Sequence, residues 1–214
     1  MTMPSAARVG FWSGVAAFTA TVGYDVVQVL QMVHVLRFPL DEILIFGTSL
    51  CIIVPFVLEM VALHHSTSDD RRFWTHAALI FTTAYAVFAG ANYVVQLATV
   101  IPAKLHGTLA SVSFLEQTPH SLLWNFDALG YISMGVALLL LIPALGNTGM
   151  QRQARWWCAA NFLATGLAGV VYFSPVFSTK LLLVGLPWGV TAPLSMLVLA
   201  LVLRERARDE VPSH

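Results

Sequence analysis

The stretch "PHSLLWNFDALGYISMGVALLLLIPAL", from Pro119 to Leu145, is apolar for long enough to cross a bilayer as one helix, yet it carries Asp127 a few residues from its start. A helix needs about 18 to 20 apolar residues to span roughly 30 Å of hydrocarbon, and this stretch supplies them. Five further runs of the same kind flank it. The six are placed near 9–33, 43–63, 73–101, 121–145, 156–172 and 181–203. Across all 214 residues, 57% are hydrophobic and only 10% are charged. Soluble domains carry about 25% charged residues, so the composition is that of a polytopic membrane protein. The expected fold is all-α: one domain over 1–214, a bundle of six transmembrane helices.

The connecting segments predict the orientation. Arg8, Arg71, Arg72, Arg152, Arg155, Arg204, Arg206 and Arg208 fall on one side of the bundle, and Arg37, Lys104 and Lys180 fall on the other. The positive-inside rule then puts both termini in the cytoplasm, as an even number of spans requires, and the expected location is a bacterial cytoplasmic membrane. The first apolar run is too long for a signal-peptide core and reads as a retained helix. Cys51 and Cys158 sit in different spans near opposite faces, which argues against a disulfide. Zero formal net charge and the lack of a basic stripe argue against a nucleic-acid partner.

Three carboxylates lie inside the spans: Asp25, Glu59 and Asp127. A charge at the bilayer centre costs roughly 2.5 to 3.5 kcal/mol on the insertion scale, so each needs a partner, a cavity or a role. Glu59 lies near the cytoplasmic end of its span, where the arginines of "DDRR" or headgroup water are expected to serve it. Asp25 and Asp127 are deeper, about 12 Å and 9 Å below the outer ends, and share a level. In "YDVVQVLQMVH", Asp25, Gln28 and Gln31 fall within an arc of about 120° that also holds Tyr24. Tyr85, Asn92, Gln96 and Thr99 make a stripe on the third span, beside Tyr93. His120, Trp124, Asp127, Tyr131 and Met134 make one on the fourth.

Lipid cannot satisfy these groups, so the stripes are expected to face one another inside the bundle, with Asp127 pointing at Asp25, Asn92 or Gln96. Interhelical polar glue is the plain reading. Two acids, four amides and several aromatics at one depth exceed what helix association needs, so a pocket is the stronger expectation. Two carboxylates brought close in low dielectric cannot both ionise, which would leave one able to give a proton to a lipophilic molecule.

Beyond the spans, Leu105, Leu109 and Val112 recur at helical spacing in 103–119 and predict a short interfacial helix, either a connector or a lid. Glu116 and His120 stand four residues apart as a possible acid and base pair at the pocket mouth. Neither "HHSTSDD" nor the His106, Glu116 and His120 group has zinc spacing, so no metal and no organic cofactor is expected. "GYDVV" faintly echoes "NFDAL", but inverted repeats would put the two aspartates on opposite sides of the midplane. Both fall in the outer half.

A small many-span bundle with acids in an aromatic pocket resembles the membrane-bound terpene cyclases in size, hydropathy and buried carboxylates. The Trp-Glu pair of the fungal members has no counterpart here. The resemblance implies an intramembrane enzyme that protonates an isoprenoid chain and guides the carbocation to a cyclic product. Asp127 or Asp25 would be the general acid, and Trp124, Tyr131, Tyr24 and Tyr93 would offer π faces to the positive charge. Glu59, Gln28, Gln31, Asn92, Gln96 and His120 complete the candidate substrate-binding set. The partners are then a lipophilic substrate and the bilayer. The alternative is a transporter or ligand-binding membrane protein that uses the same pocket, and a third class is a structural protein in which the stripes are only glue.

Overall fold

The computed structural model describes residues 5–209, and among them there is no strand. Helix α1 runs Ala6–Met32 and starts at Ser5, whose hydroxyl accepts the Arg8 N–H at 3.3 Å. Helix α2 is Leu40–His65 and α3 is Arg72–Val95. A π-helical turn, Gln96–Val100, joins α3 to the short α4, Ile101–Leu105. Helix α5 is Leu122–Leu141, with Ser121 as its N-cap, α6 is Gly149–Phe173 and α7 is Leu182–Asp209. Six helical stretches are long and apolar enough to cross a membrane.

Short connections between successive helices make neighbours antiparallel, and the packing closes on itself. The order around the bundle is α1, α2, α3, α5, α6, α7, with α7 packed back against α1. Both termini therefore lie at one end of a six-helix ring. Large apolar side chains such as Trp12, Val54, Phe73, Trp156 and Leu163 point outward and are more than half exposed. Such an apolar outer surface is compatible with six helices long and apolar enough to cross a membrane.

The two ends of the ring differ. At the end holding the termini, Phe56, Leu63, Leu138, Met196, Leu199 and Leu203 fill the centre completely. Small residues let the helices close up there: a Cβ on Gly14 would lie 2.7 Å from Ala200 Cβ and would run into Glu59, and one on Gly135 would lie 2.6 Å from Thr165 Oγ1. Arginines seal the same end. Arg206 donates to the Ser66 carbonyl at 3.0 Å and to its hydroxyl at 2.9 Å, and Arg155 donates to the Ile142 and Leu145 carbonyls at 2.9 and 3.0 Å. The Ser66 carbonyl at the end of α2 thereby gains a donor, and Arg155 adds a second donor to the Ile142 carbonyl, which also accepts the Leu145 N–H at 3.1 Å.

The expected interfacial helix over 103–119 is not formed. Helix α4 stops at Leu105, and two separate 3₁₀ turns follow, Leu109–Ser111 and Ser113–Leu115. Gly107, at φ +68°, takes the left-handed conformation that ends the helix. The π turn before α4 also has a local cause: Pro102 has no amide proton to continue the regular pattern, and the Ile101 N–H reaches the Gln96 carbonyl instead.

Candidate functional site

At the end opposite the termini, the ring encloses a cavity of about 500 Å³ lined from α1, α2, α5, α6, α7 and the α3–α4 junction. Sequence causes the opening. The helices here carry amides, acids and large rings in place of the glycine and alanine contacts that draw the other end together.

Aromatic rings form a continuous wall. Tyr24 meets Trp188 edge-on at 6.1 Å between centroids, and Trp188 meets Tyr131 at 4.6 Å. Tyr131 leads to Tyr172 at 5.7 Å and Tyr172 to Trp124 at 4.6 Å. The Tyr24 and Tyr131 hydroxyls are 3.3 Å apart, and the Trp124 indole N–H donates to the Tyr172 carbonyl at 3.3 Å. Trp188 is 7% exposed, and its indole N–H has no hydrogen-bond partner.

Asp127 ends a directed chain of hydrogen bonds. Gln96 Nε2 donates to the Leu115 carbonyl at 2.8 Å, and its Oε1 accepts the Gln117 backbone N–H at 3.4 Å. Those two backbone groups fix which way the Gln96 amide faces, so Gln96 also donates to Asn92 Oδ1, at 3.4 Å. Asn92 Nδ2 is then free to donate to Gln117 Oε1 at 2.8 Å and to Asp127 Oδ1 at 3.4 Å. Gln117 Nε2 donates to Asp127 Oδ2 at 3.0 Å, and the Tyr172 hydroxyl donates to the same oxygen at 2.5 Å. Both oxygens of Asp127 therefore act as acceptors for groups of the protein, and the carboxylate is 5% exposed.

Asp25 presents the opposite situation. It lines the same cavity, half-buried, and no side chain or backbone group among the described residues hydrogen-bonds to it. A Cβ on Gly189 of α7 would stand 3.0 Å from Asp25 Oδ1, so only glycine leaves this space beside the carboxylate open. Gln28, one turn further along α1, also faces the cavity.

Charged groups hold the mouth. Lys104 Nζ lies 2.7 Å from Glu42 Oε1 and 2.8 Å from Glu116 Oε1, tying α2, α4 and the loop before α5 together. Gln31 donates to Asp41 Oδ2 at 3.1 Å.

Of the residues singled out in the sequence, Tyr24, Asp25, Gln28, Gln31, Gln96, Trp124, Asp127 and Tyr131 line this one cavity. Asn92 stands behind them as a buried link in the Asp127 chain. Tyr93 is buried behind the wall, against Phe46 at 6.1 Å, and shares a small void there with Ser49 and Tyr85. His120 is not part of the site: it is exposed, with φ +68°, in the turn ahead of α5. The acid and base pair expected of Glu116 and His120 is replaced by the Glu116–Lys104 ion pair.

Glu59 is also elsewhere, in the packed end, and the expectation that it reaches the loop arginines is corrected. It is wholly buried, neither oxygen has a hydrogen-bond partner, and Arg71 and Arg72 pair with Asp70 and Asp69. Six residues before the end of α2, it lies about 9 Å inside the helix terminus and faces inward beside Gly14, too far in for a glutamate to reach the loop. Gln117 and Tyr172, both partners of Asp127, and Trp188 of the aromatic wall are among the residues that sequence reasoning missed.

Comparison of the chain with family models, with curated proteins and with solved structures finds no match in any of the three.

Proposed function

We propose that the chain is an integral membrane protein, with both termini on the cytoplasmic side, that takes a small amphipathic molecule into the cavity at the far end of the ring. The arginine excess at the packed end supports that orientation. The observation that carries the reading is the cavity itself. Apolar and aromatic walls with a few convergent polar groups, in a volume of about 500 Å³, are the usual make-up of a small-molecule site. A closed layer beneath it and an open mouth above suit capture from one side, as a binding protein or one state of a carrier requires.

Asp127 serves this reading as a wall element. Three of its roughly four acceptor positions are taken by two amides and a tyrosine, an arrangement that stabilises an acceptor and leaves one position, on Oδ1, without a donor from the protein. Proton-initiated cyclisation of an isoprenoid chain is the second reading, and one observation favours it: Asp25 has a free carboxyl group beside the Tyr24, Tyr131 and Trp188 rings. In that case Asp25 is the proton donor, and the rings face the developing carbocation.

One experiment separates the two. Purified protein and its Asp25→Asn variant are melted against a panel of prenylated and small amphipathic compounds, with product analysis of each mixture. The binding reading expects a stabilising compound that is recovered unchanged. A stabilising prenylated compound that is converted by the wild type, but only bound by Asp25→Asn, moves the assignment to the enzyme. Stabilisation by nothing in the panel contradicts both.

A further inference from the structure

We propose that the molecule held in the cavity is an organic cation, an apolar body carrying an ammonium or similar positive head, with Asp25 as its counter-charge. The inference rests on the binding reading above and names the ligand class.

Charge is the first argument. Four carboxylates line the cavity, Asp25, Glu42, Glu116 and Asp127, against the single ammonium of Lys104. That ammonium is already held by Glu42 and Glu116. An anionic ligand would find no cation available, and the low-dielectric walls concentrate the negative potential in the opening.

Elimination is the second. Every other carboxylate around the cavity has at least one partner from the protein: Lys104 serves Glu42 and Glu116, Gln31 serves one oxygen of Asp41, and Asn92, Gln117 and Tyr172 serve Asp127. Among the described residues Asp25 has none, although it sits within a helix long and apolar enough to cross a membrane, where an unpaired charge is costly. A bound positive group is the partner that the protein does not supply.

The wall is the third. Tyr24, Tyr131 and Trp188 line the same cavity as Asp25 with their rings in mutual contact, and aromatic walls in a cavity that also holds a carboxylate are surroundings that attract ammonium groups. The amides of Asn92, Gln96 and Gln117 are occupied with one another and with the backbone, which leaves Gln28 as the lining amide that can meet a polar group beside the charged head.

The test uses the full chain in lipid nanodiscs and three probes: tetraphenylphosphonium, the isosteric anion tetraphenylborate and neutral triphenylphosphine oxide. Benzyltrimethylammonium is added as a smaller cation. Binding is read by calorimetry and by the shift in melting temperature. The expected result is saturable binding of at least one of the two cations, with neither the anion nor the neutral compound competing. Asp25→Asn should weaken that cation about tenfold or more while melting at the wild-type temperature without ligand. Lys104→Gln, which removes the ammonium that lines the cavity, should leave cation binding equal or tighter.

Equal or tighter binding of the neutral or anionic probe overturns the cation assignment and leaves the pocket reading standing. Unchanged cation affinity in a folded Asp25→Asn protein overturns the role of Asp25, and with it the proposal. If no probe of any charge binds, and the amphipathic panel also fails, the pocket reading itself falls.

Discussion

The packed end and the hollow end of the ring are built from the same six helices, yet they solve opposite problems. At the packed end, Gly10, Gly14 and Gly135 face Ala62, Ala200 and Thr165, and the centre is filled by leucine, methionine and phenylalanine. At the hollow end the inward positions are Asp25, Gln28, Gln96, Asp127 and the rings of Tyr131 and Trp188, which hold the helices apart. Helix association in a bilayer is driven by close packing, so an end that forgoes it needs another reason to exist. A polar network serving the fold is one such reason, and the ligand proposed for the free carboxylate of Asp25 is another.

The sharpest contrast is between two glycines. Gly14→Leu forces a branched side chain against Ala200 and Glu59 inside a filled layer and should cost about 3 kcal/mol or more, read as a large fall in melting temperature. Gly189→Ala meets only the end of the Asp25 side chain, which can swing into open space, so stability should change by less than about 1 kcal/mol while ligand binding weakens. A Gly14→Leu protein that melts like the wild type would erase the distinction between the ends.

Within the cavity the two aspartates should separate almost as clearly. Asp127→Asn sets a new NH₂ group against donors from Asn92, Gln117 or Tyr172 and should lower stability by about 1 to 3 kcal/mol in thermal or denaturant unfolding. Asp25→Asn breaks no hydrogen bond of the protein and should stay within about 0.5 kcal/mol. The reverse order would make Asp25 the structural residue and Asp127 the exposed one.

Glu59 tests whether the packed end tolerates polarity for its own sake. Both its oxygens are buried without partners, so Glu59→Met, of similar volume, should raise stability by about 1 to 2 kcal/mol. A loss on that substitution would mean that the carboxyl has a partner beyond the protein groups around it. Of the changes at the packed end the smallest effect is expected at the seal: Arg206→Met leaves the end of α2 with one uncapped carbonyl and should cost about 1 kcal/mol by the same melting assay.

Much of this contrast was legible in the sequence, because hydropathy and helical period both act along the chain. Six apolar runs correspond to six long helices, and the stripes of α1 and α5 do turn toward one cavity. The ends of helices were less legible. Helix α6 starts at Gly149, well before the apolar run at Trp156, because the polar turn "QRQAR" is helical although no hydropathy window marks it. Gln117 lay in a loop without period, and its role depends on a chain fold that delivers it to Asp127. Tyr172, at the end of an apolar run, looks like any aromatic of a membrane interface until α6 is placed against α5. Glu59 was misjudged because distance along the helix was read without knowing which way the side chain faced.

The measurement that bears most directly on the account is cysteine accessibility across the ring. In a background with Cys51→Ser and Cys158→Ala, Gln28→Cys in the cavity and Met196→Cys in the packed layer are treated in intact cells with a membrane-impermeant maleimide. The account predicts rapid labelling of Gln28→Cys from outside the cell, slowed by a bound ligand, and no labelling of Met196→Cys until the protein is denatured. Equal labelling of the two positions would contradict a ring that is hollow and open at one end and closed at the other, and labelling of Gln28→Cys only after the membrane is opened would contradict the orientation proposed for it.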